Sequence, residues 1–298
     1  MRHVIGLDAG GTKTVGILAD ETGAVVRDSR SGPANLTMQG ELGVEKALFE
    51  VLDALDPPPS VEAVCLGIAG ADRPAALELI RGVLWRLGFR RNVRVVSDAW
   101  VALAAGAPDA LGIVLVAGTG SIAFGRDGTR KARAGGWGYL LGDEASAYWL
   151  GLAAVRQGFR GLDGRGPETT LYDRIRRKVG VETPQELADW FYSKQAPRTS
   201  VAQLAGVVEE AAAEGDAGAL TILDLAADHL CRAATAVARQ LAFPGEYPLV
   251  LAGGTFRACP SLVPRLAECL ALPGARVERL AVEPAQGAVS LALQELSR

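Results

Sequence analysis

Histidine is nearly missing from this chain. Of 298 residues only His3 and His229 are histidine, and Lys13, Lys46, Lys131, Lys178 and Lys194 are the only lysines. The four cysteines (Cys65, Cys231, Cys259, Cys269) show no C-x-x-C spacing. A zinc or iron-sulfur site needs closely spaced ligands, so all four are expected as buried, reduced thiols. Charge of one sign is also missing: 31 basic against 34 acidic side chains leave a formal charge of -3. Binding to a nucleic acid needs clustered positive charge, so the expected partner is a small molecule. Apolar runs of four to eight residues fall well short of the ~20 that cross a bilayer, which excludes a membrane span. Residues 4–7 are too short for a secretory core of about 7–15 residues, and a cytoplasmic location is expected. The arginine bias carries no functional message.

At roughly 150 residues per domain the length allows one large domain or two ordinary ones, with ample core. Residues 4–7 (VIGL) read as a buried strand broken by Asp8 and the adjacent Gly10 and Gly11. Strands at 15–19 and 24–28 complete an antiparallel meander. The layout recurs at 112–117, where a strand meets the Gly118–Ser121 turn, a second strand at 122–125 and a turn at Asp127 and Gly128. A third strand and glycine turn lies at 249–255 (LVLAGGT). Such repetition points to an internally duplicated architecture. Between the first two units, helices at 41–55 and 74–87 alternate with strands at 63–68 and 93–97, the pattern of α/β packing on a largely parallel sheet. A break at 107–109 suggests a hinge, and the domain boundary is expected near residue 111. The second half is more helical, with a capping box at Thr183 to Glu186, helices at 202–215 and 217–241, and a last helix from Pro284 to Leu296.

Glycines directly after a strand let backbone N–H groups approach an anion, so phosphate is the natural ligand, although one such turn alone is as well explained by a tight hairpin. There is no G-x-x-x-x-G-K-[ST] motif, which excludes a P-loop. Gly118, Gly120 and Ala123 fit G-x-G-x-x-A with Asp143 about 20 residues on, but the glycines at 125, 128, 135 and 136 forbid the helix that a dinucleotide fingerprint requires.

Several polar residues admit two readings. Asp8 ends the first strand, either bonding its own turn or facing a Mg²⁺ that accompanies nucleotide phosphates. Asp98 follows an apolar strand and precedes a helix, as an N-cap or as a general base for a hydroxyl nucleophile. Asp143 is expected to open a helix, and Asn35 to sit in a turn. Trp137, flanked by glycines, either plugs a core or lines a pocket. His229, beside Asp228, reads as a packed or solvated helix residue.

With these segments assembled, the chain resembles the N-acetylglucosamine kinase family, also called the BadF/BadG/BcrA/BcrD-type ATPase group, within the superfamily of sugar kinases, actin and heat-shock chaperones. The resemblance rests on LDAGGTKT at 7–14, PANL at 33–36, SDAW at 97–100, AGTGS at 117–121, GGWGYLLGDEASAYW at 135–149 and LAGGTF at 251–256. It implies an α/β fold of two duplicated, ribonuclease H-like lobes of the actin-like ATPase type. Each lobe would carry a mixed five-stranded sheet flanked by helices, with a cleft between them. The N-terminal lobe would be 1–111, rejoined by the helix 284–298, and the C-terminal lobe 112–283. It further implies ATP and Mg²⁺ as cofactors, a sugar substrate phosphorylated at its 6-hydroxyl, and a homodimer.

On this resemblance Gly10, Gly11, Thr12, Thr119 and Gly120 hold phosphates, and Asp8 supports Mg²⁺. Gly253 and Gly254, with Ala212 and Ala258, meet the adenosine. Asp98 is the general base, and Asn35, Asp98, Ser121, Gly136, Trp137, Gly138 and Asp143 contact the sugar. The mammalian kinases of the family carry Asn where Ile122 stands here, which removes a possible sugar contact and leaves glucosamine kinase or broad hexokinase activity as alternatives. Phosphoryl transfer asks mainly for positioning and charge stabilisation, which a histidine-poor chain can supply. An activator ATPase of a radical dehydratase would need exposed cysteines at a dimer axis. A sugar-responsive regulator would need an added DNA-binding domain, for which no room is expected before residue 4.

Overall fold

The structure, a computed structural model, describes residues 1–70, 73–193 and 197–296. Strands β1 (His3–Ala9), β2 (Thr14–Asp20) and β3 (Val25–Ser31) form the first meander. Helix α1 (Leu36–Leu55), β4 (Val61–Ile68), α2 (Pro74–Arg86), β5 (Val93–Val96) and α3 (Asp98–Gly106) follow. The sheet order is β3-β2-β1-β4-β5, with β1 antiparallel to β2 and parallel to β4. A central strand with a neighbour on each side is covered on both faces, hence the uninterrupted apolar run at 4–7. Successive side chains alternate between faces. Ile5, Leu7, Val64 and Leu66 pack under Leu48, Val51 and Leu55 of α1, whereas Val4, Ala63 and Cys65 join Val101 of α3 on the other side.

The second half repeats the plan with β6 (Gly112–Ala117), β7 (Ser121–Arg126) and β8 (Lys131–Gly135), then α4 (Ala147–Leu162), α5 (Leu171–Val179), α6 (Pro184–Tyr192), α7 (Arg198–Ala202), α8 (Ala205–Ala213) and α9 (Ala217–Ala238). It closes with β9 (Tyr247–Ala252), α10 (Thr255–Ala258), α11 (Leu262–Cys269) and β10 (Ala275–Arg279), before α12 (Pro284–Leu296) returns to the first sheet and packs on β1, β4 and α3. The sheet order is β10-β9-β6-β7-β8. Ile113, Leu115 and Ala117 face the α4, α8 and α9 layer. Val114 faces Ala99, Ala102 and Leu103, so α3 lies between the two sheets. The chain crosses from α3 to β6 through a 3-10 turn at Pro108–Ala110, where Asp109 and Ala110 are left-handed (φ 55° and 52°).

The expected α/β architecture of two five-stranded mixed sheets is present, and the Thr183 capping box and the helix from Pro284 form as read. Several local readings need correction. Helix α1 carries an extra first turn from Leu36, capped by Asn35, which a non-helical Gly40 (φ 67°) separates from the helix read from 41. The expected helix at 202–215 is α7 and α8 in sequence, and α9 stops at Ala238. Ser97 caps α3 through Trp100 N at 3.3 Å, so Asp98 is not the cap. Asp143 opens no helix: it is left-handed (φ 60°), and Ser146 caps α4. Cys231 and Cys269 are not free thiols. Helix α11 packs on α9 and brings their Cα atoms to 6.3 Å, where the two sulfurs are bonded. Cys65 and Cys259 are free and buried, as read.

Candidate active site

In open α/β sheets ligands bind outside the carboxyl ends of the parallel strands. Here those ends carry the glycine turns. The β1–β2 turn closes with Gly10 N donating to Lys13 O (3.0 Å), and Gly10 O accepts from Ala34 N (3.0 Å), which ties the loop before Asn35 to the turn. Beside Gly11 and Gly118 the space a Cβ would take is open, so their backbone is approachable. The Thr12 and Thr119 hydroxyls share a hydrogen bond of 2.9 Å, joining the turns of the two sheets directly. Gly253, after β9, has φ 106°, and a Cβ there would lie 2.1 Å from Ala117 O, so only glycine lets the third turn come this close to β6. Thr255 is buried, and its hydroxyl donates to Gly118 O (3.3 Å).

Asp8 stands one residue before the end of β1 and faces Asp98. Although Asp8 keeps some solvent access, its surroundings are dense: burial first, then the charge of Asp98, push its carboxyl up to about 8 against the pull of Lys13. The Lys13 ammonium is held by Glu283 at 2.8 Å, and Arg30 reaches the same carboxylate at 3.1 Å. Asp98 accepts a hydrogen bond from Ala99 N (2.9 Å).

A second cluster forms around the β7–β8 edge. Gly136 N donates to Ser121 O (3.0 Å), Ser121 N to Asp143 Oδ1 (3.1 Å), and the Ser121 hydroxyl to Glu144 O (2.6 Å). Asp143 is 6% exposed, and burial raises its carboxyl above the usual range, opposed by the Ser121 amide and by Arg198, whose Nη2 lies 3.2 Å from Oδ2. Gly136 and Gly138 take left-handed conformations and carry Trp137 out of the core: the residue is 64% exposed, with the Arg133 guanidinium 4.2 Å from the ring centre. The core-plug reading of Trp137 is thereby excluded. Ile122 packs beneath Gly136 and on the α3 cluster.

The structure thus joins Thr12 to Thr119, and Ser121 to Gly136 and Asp143, and sets Asp8 within electrostatic reach of Asp98. Ala212 on α8 and Ala258 on α10 belong to two helices packed on one another, with Gly254 capping α10. Asn35 uses its side chain to accept from Thr37 N (3.0 Å). His229 packs edge-on against Trp149, as read. Sequence reasoning missed Glu283 and Arg198; their partners are remote along the chain, and no spacing signal marks them.

A model of the BadF/BadG/BcrA/BcrD ATPase family matches residues 5–292. The chain is 32% identical, over 99% of both chains, to an N-acetylmuramic acid/N-acetylglucosamine kinase of Clostridium acetobutylicum. It is 32% identical, over 97% of both, to an N-acetyl-D-glucosamine kinase of Dictyostelium discoideum. Among solved structures, a Chromobacterium violaceum protein classed as an N-acetylglucosamine kinase superposes with a TM-score of 0.79 at 29% identity, covering 99% of each chain.

Proposed function

The chain belongs to the BadF/BadG/BcrA/BcrD ATPase family, and from that premise we propose that it is an ATP-dependent amino-sugar kinase acting on the 6-hydroxyl, with N-acetylglucosamine as the leading substrate. The observation that carries the reading is the hydrogen bond between Thr12 and Thr119, which makes one phosphate cradle of two glycine turns from two sheets, with the Asp8 and Asp98 carboxylates alongside.

In this reading the amides of Gly11 and Thr12 and of Thr119 and Gly120 face the phosphates, while Gly10, whose N–H closes the turn on Lys13 O, shapes the loop that holds them. Gly253, Gly254, Ala212 and Ala258 line the adenosine side. Asp98 accepts the proton of the sugar hydroxyl as that oxygen attacks the γ-phosphorus, and the bond from phosphorus to the bridging oxygen of ADP breaks. Asn35, Ser121, Gly136, Trp137, Gly138 and Asp143 orient the sugar. Two adjacent carboxylates suit Mg²⁺, which keeps most of its waters and is held by one or two carboxylates plus substrate phosphates. Among the described residues no group of three or more His, Cys, Asp or Glu converges to hold a metal by itself. Asp8 would hold Mg²⁺, which when bound would offset the phosphate charge.

A homodimer and a cytoplasmic location go with this reading. Among the described residues no helix is long and apolar enough to cross a membrane. The activator-ATPase alternative is not favoured: Cys65 and Cys259 are buried, and Cys231 is bonded to Cys269. Glucosamine kinase activity remains the second reading, because Ile122 places an apolar side chain under Gly136.

The test is an ATP-coupled assay with N-acetylglucosamine, glucosamine, glucose, mannose and N-acetylmuramate. N-Acetylglucosamine is expected to give the highest kcat/KM. No sugar raising ADP release above background would remove the kinase reading.

A further inference from the structure

Arg198 belongs to none of the motifs above, yet it occupies the middle of the sugar-side cluster. Its side chain is 20% exposed, and that of Asp143 is 8% exposed. Nη2 holds Asp143 Oδ2 at 3.2 Å, and Nη1 lies 3.3 Å from the sulfur of Met38 on α1. The guanidinium carbon sits 4.5 Å and 5.4 Å from the centres of the Tyr139 and Tyr148 rings, which meet each other edge to face. Nε is buried and makes no hydrogen bond among the described residues. An enclosed ion pair contributes little net stability compared with an apolar pair of the same volume. Here, moreover, the other oxygen of the carboxylate is already engaged by Ser121 N. Both oxygens of Asp143 are therefore fixed in direction, one from β7 and one from α7.

We propose that Arg198 is a positioning residue for the sugar: it aims the Asp143 carboxylate at the substrate and, through Met38, ties that carboxylate to the helix that Asn35 caps. The role rests on the kinase reading and deepens it. The groups that face Asp143 have opposed effects. Burial and the neighbouring Glu144 favour its neutral form, whereas the Ser121 amide and Arg198 favour the charged one. Removing the guanidinium leaves burial and Glu144 opposed by the amide alone. The acid limb of sugar kcat/KM then moves to higher pH, because Asp143 stays protonated further up the scale.

The experiment compares wild type, Arg198→Met and Arg198→Lys by steady-state kinetics between pH 5.5 and 8.5. Arg198→Met keeps an unbranched side chain between the two tyrosines. It is expected to raise the sugar KM about 10–100-fold, the span of a lost charge-assisted hydrogen bond, to leave the ATP KM within about twofold, and to move the acid limb to higher pH. Arg198→Lys is expected to return the limb to its wild-type position while recovering only part of the KM, since an ammonium lacks the planar fork. A sugar KM and acid limb unchanged in Arg198→Met overturn the role of Arg198 while leaving the kinase reading in place. Sugar and ATP KM values that rise together with no shift of the limb also overturn it. If Arg198→Met does not fold, Arg198→Lys decides: a raised sugar KM supports the role, and an unchanged one overturns it. A wild-type protein silent with every sugar overturns the role and the kinase reading together.

Discussion

Replacing Asp98 by Asn leaves the cap of α3 in place, because Ser97 supplies it, and an Asn side-chain oxygen can still accept from Ala99 N. The change also takes one negative charge away from Asp8. Stability is therefore expected to hold while proton acceptance is lost: kcat should fall roughly 10²–10⁴-fold with the sugar KM within a few-fold of wild type. Activity within a factor of a few in a stopped assay would remove Asp98 from the chemistry. Asp8, Asp98 and the glycine turns were legible because each sits at the end of an apolar run. Asp143 was legible as polar but not in its setting. Its expected helix start lost to Ser146, with Asp143 and Ala145 both left-handed between strand and helix. Arg198 had no local signal at all, since its partners are 55 and 160 residues away.

Among the elements, the strands with apolar runs were the clearest in sequence. β8 and β10 went unread because KARAG and ARVER carry no apolar run, whereas the edge strands β3 and β5 announce themselves with VV at 25–26 and VRVV at 93–96. The bond between α9 and α11 was equally hidden, since cysteines 38 residues apart carry no spacing signature. Closing a loop of that length is worth up to about 4 kcal/mol in the chain-entropy account. Reduction is accordingly expected to lower Tm by roughly 5–10 °C without loss of kinase activity at 25 °C. Thiol titration checks the pairing. Burial pushes Cys65 and Cys259 up to about 12, so native protein should react little at pH 8, and denatured protein should show two thiols before reduction and four after. An unchanged Tm with four thiols in unreduced protein would exclude the bond.

For the molecule as a whole, the decisive joint is α12 against α3. A Cβ on Gly287 would lie 2.0 Å from Val101 O and 2.4 Å from Ala105 N, so any side chain there parts the two helices. Gly287→Val is expected to cost about 3 kcal/mol, the upper part of the overpacking range, seen by calorimetry as a fall in Tm of roughly 4–8 °C. A fall below about 2 °C would mean that α12 does not need this close approach. The duplicated plan was legible from the recurring strand and glycine-turn units. The position of α3 between the sheets was not, because it depends on Val114 and Ala99 meeting across the molecule.

The place of α12 also sets an order of assembly. The second sheet draws all its strands from residues 112–279, so its strands can pair without α12. The strands of the first sheet can pair too, but one of its faces, with Val4, Ala63 and Cys65, is covered by Ala285, Ala288 and Val289 of α12. Domains generally fold N-terminal first as the chain emerges. In this molecule the face of the sheet made first is covered by the helix that follows the second sheet, and it stays bare until α12 docks.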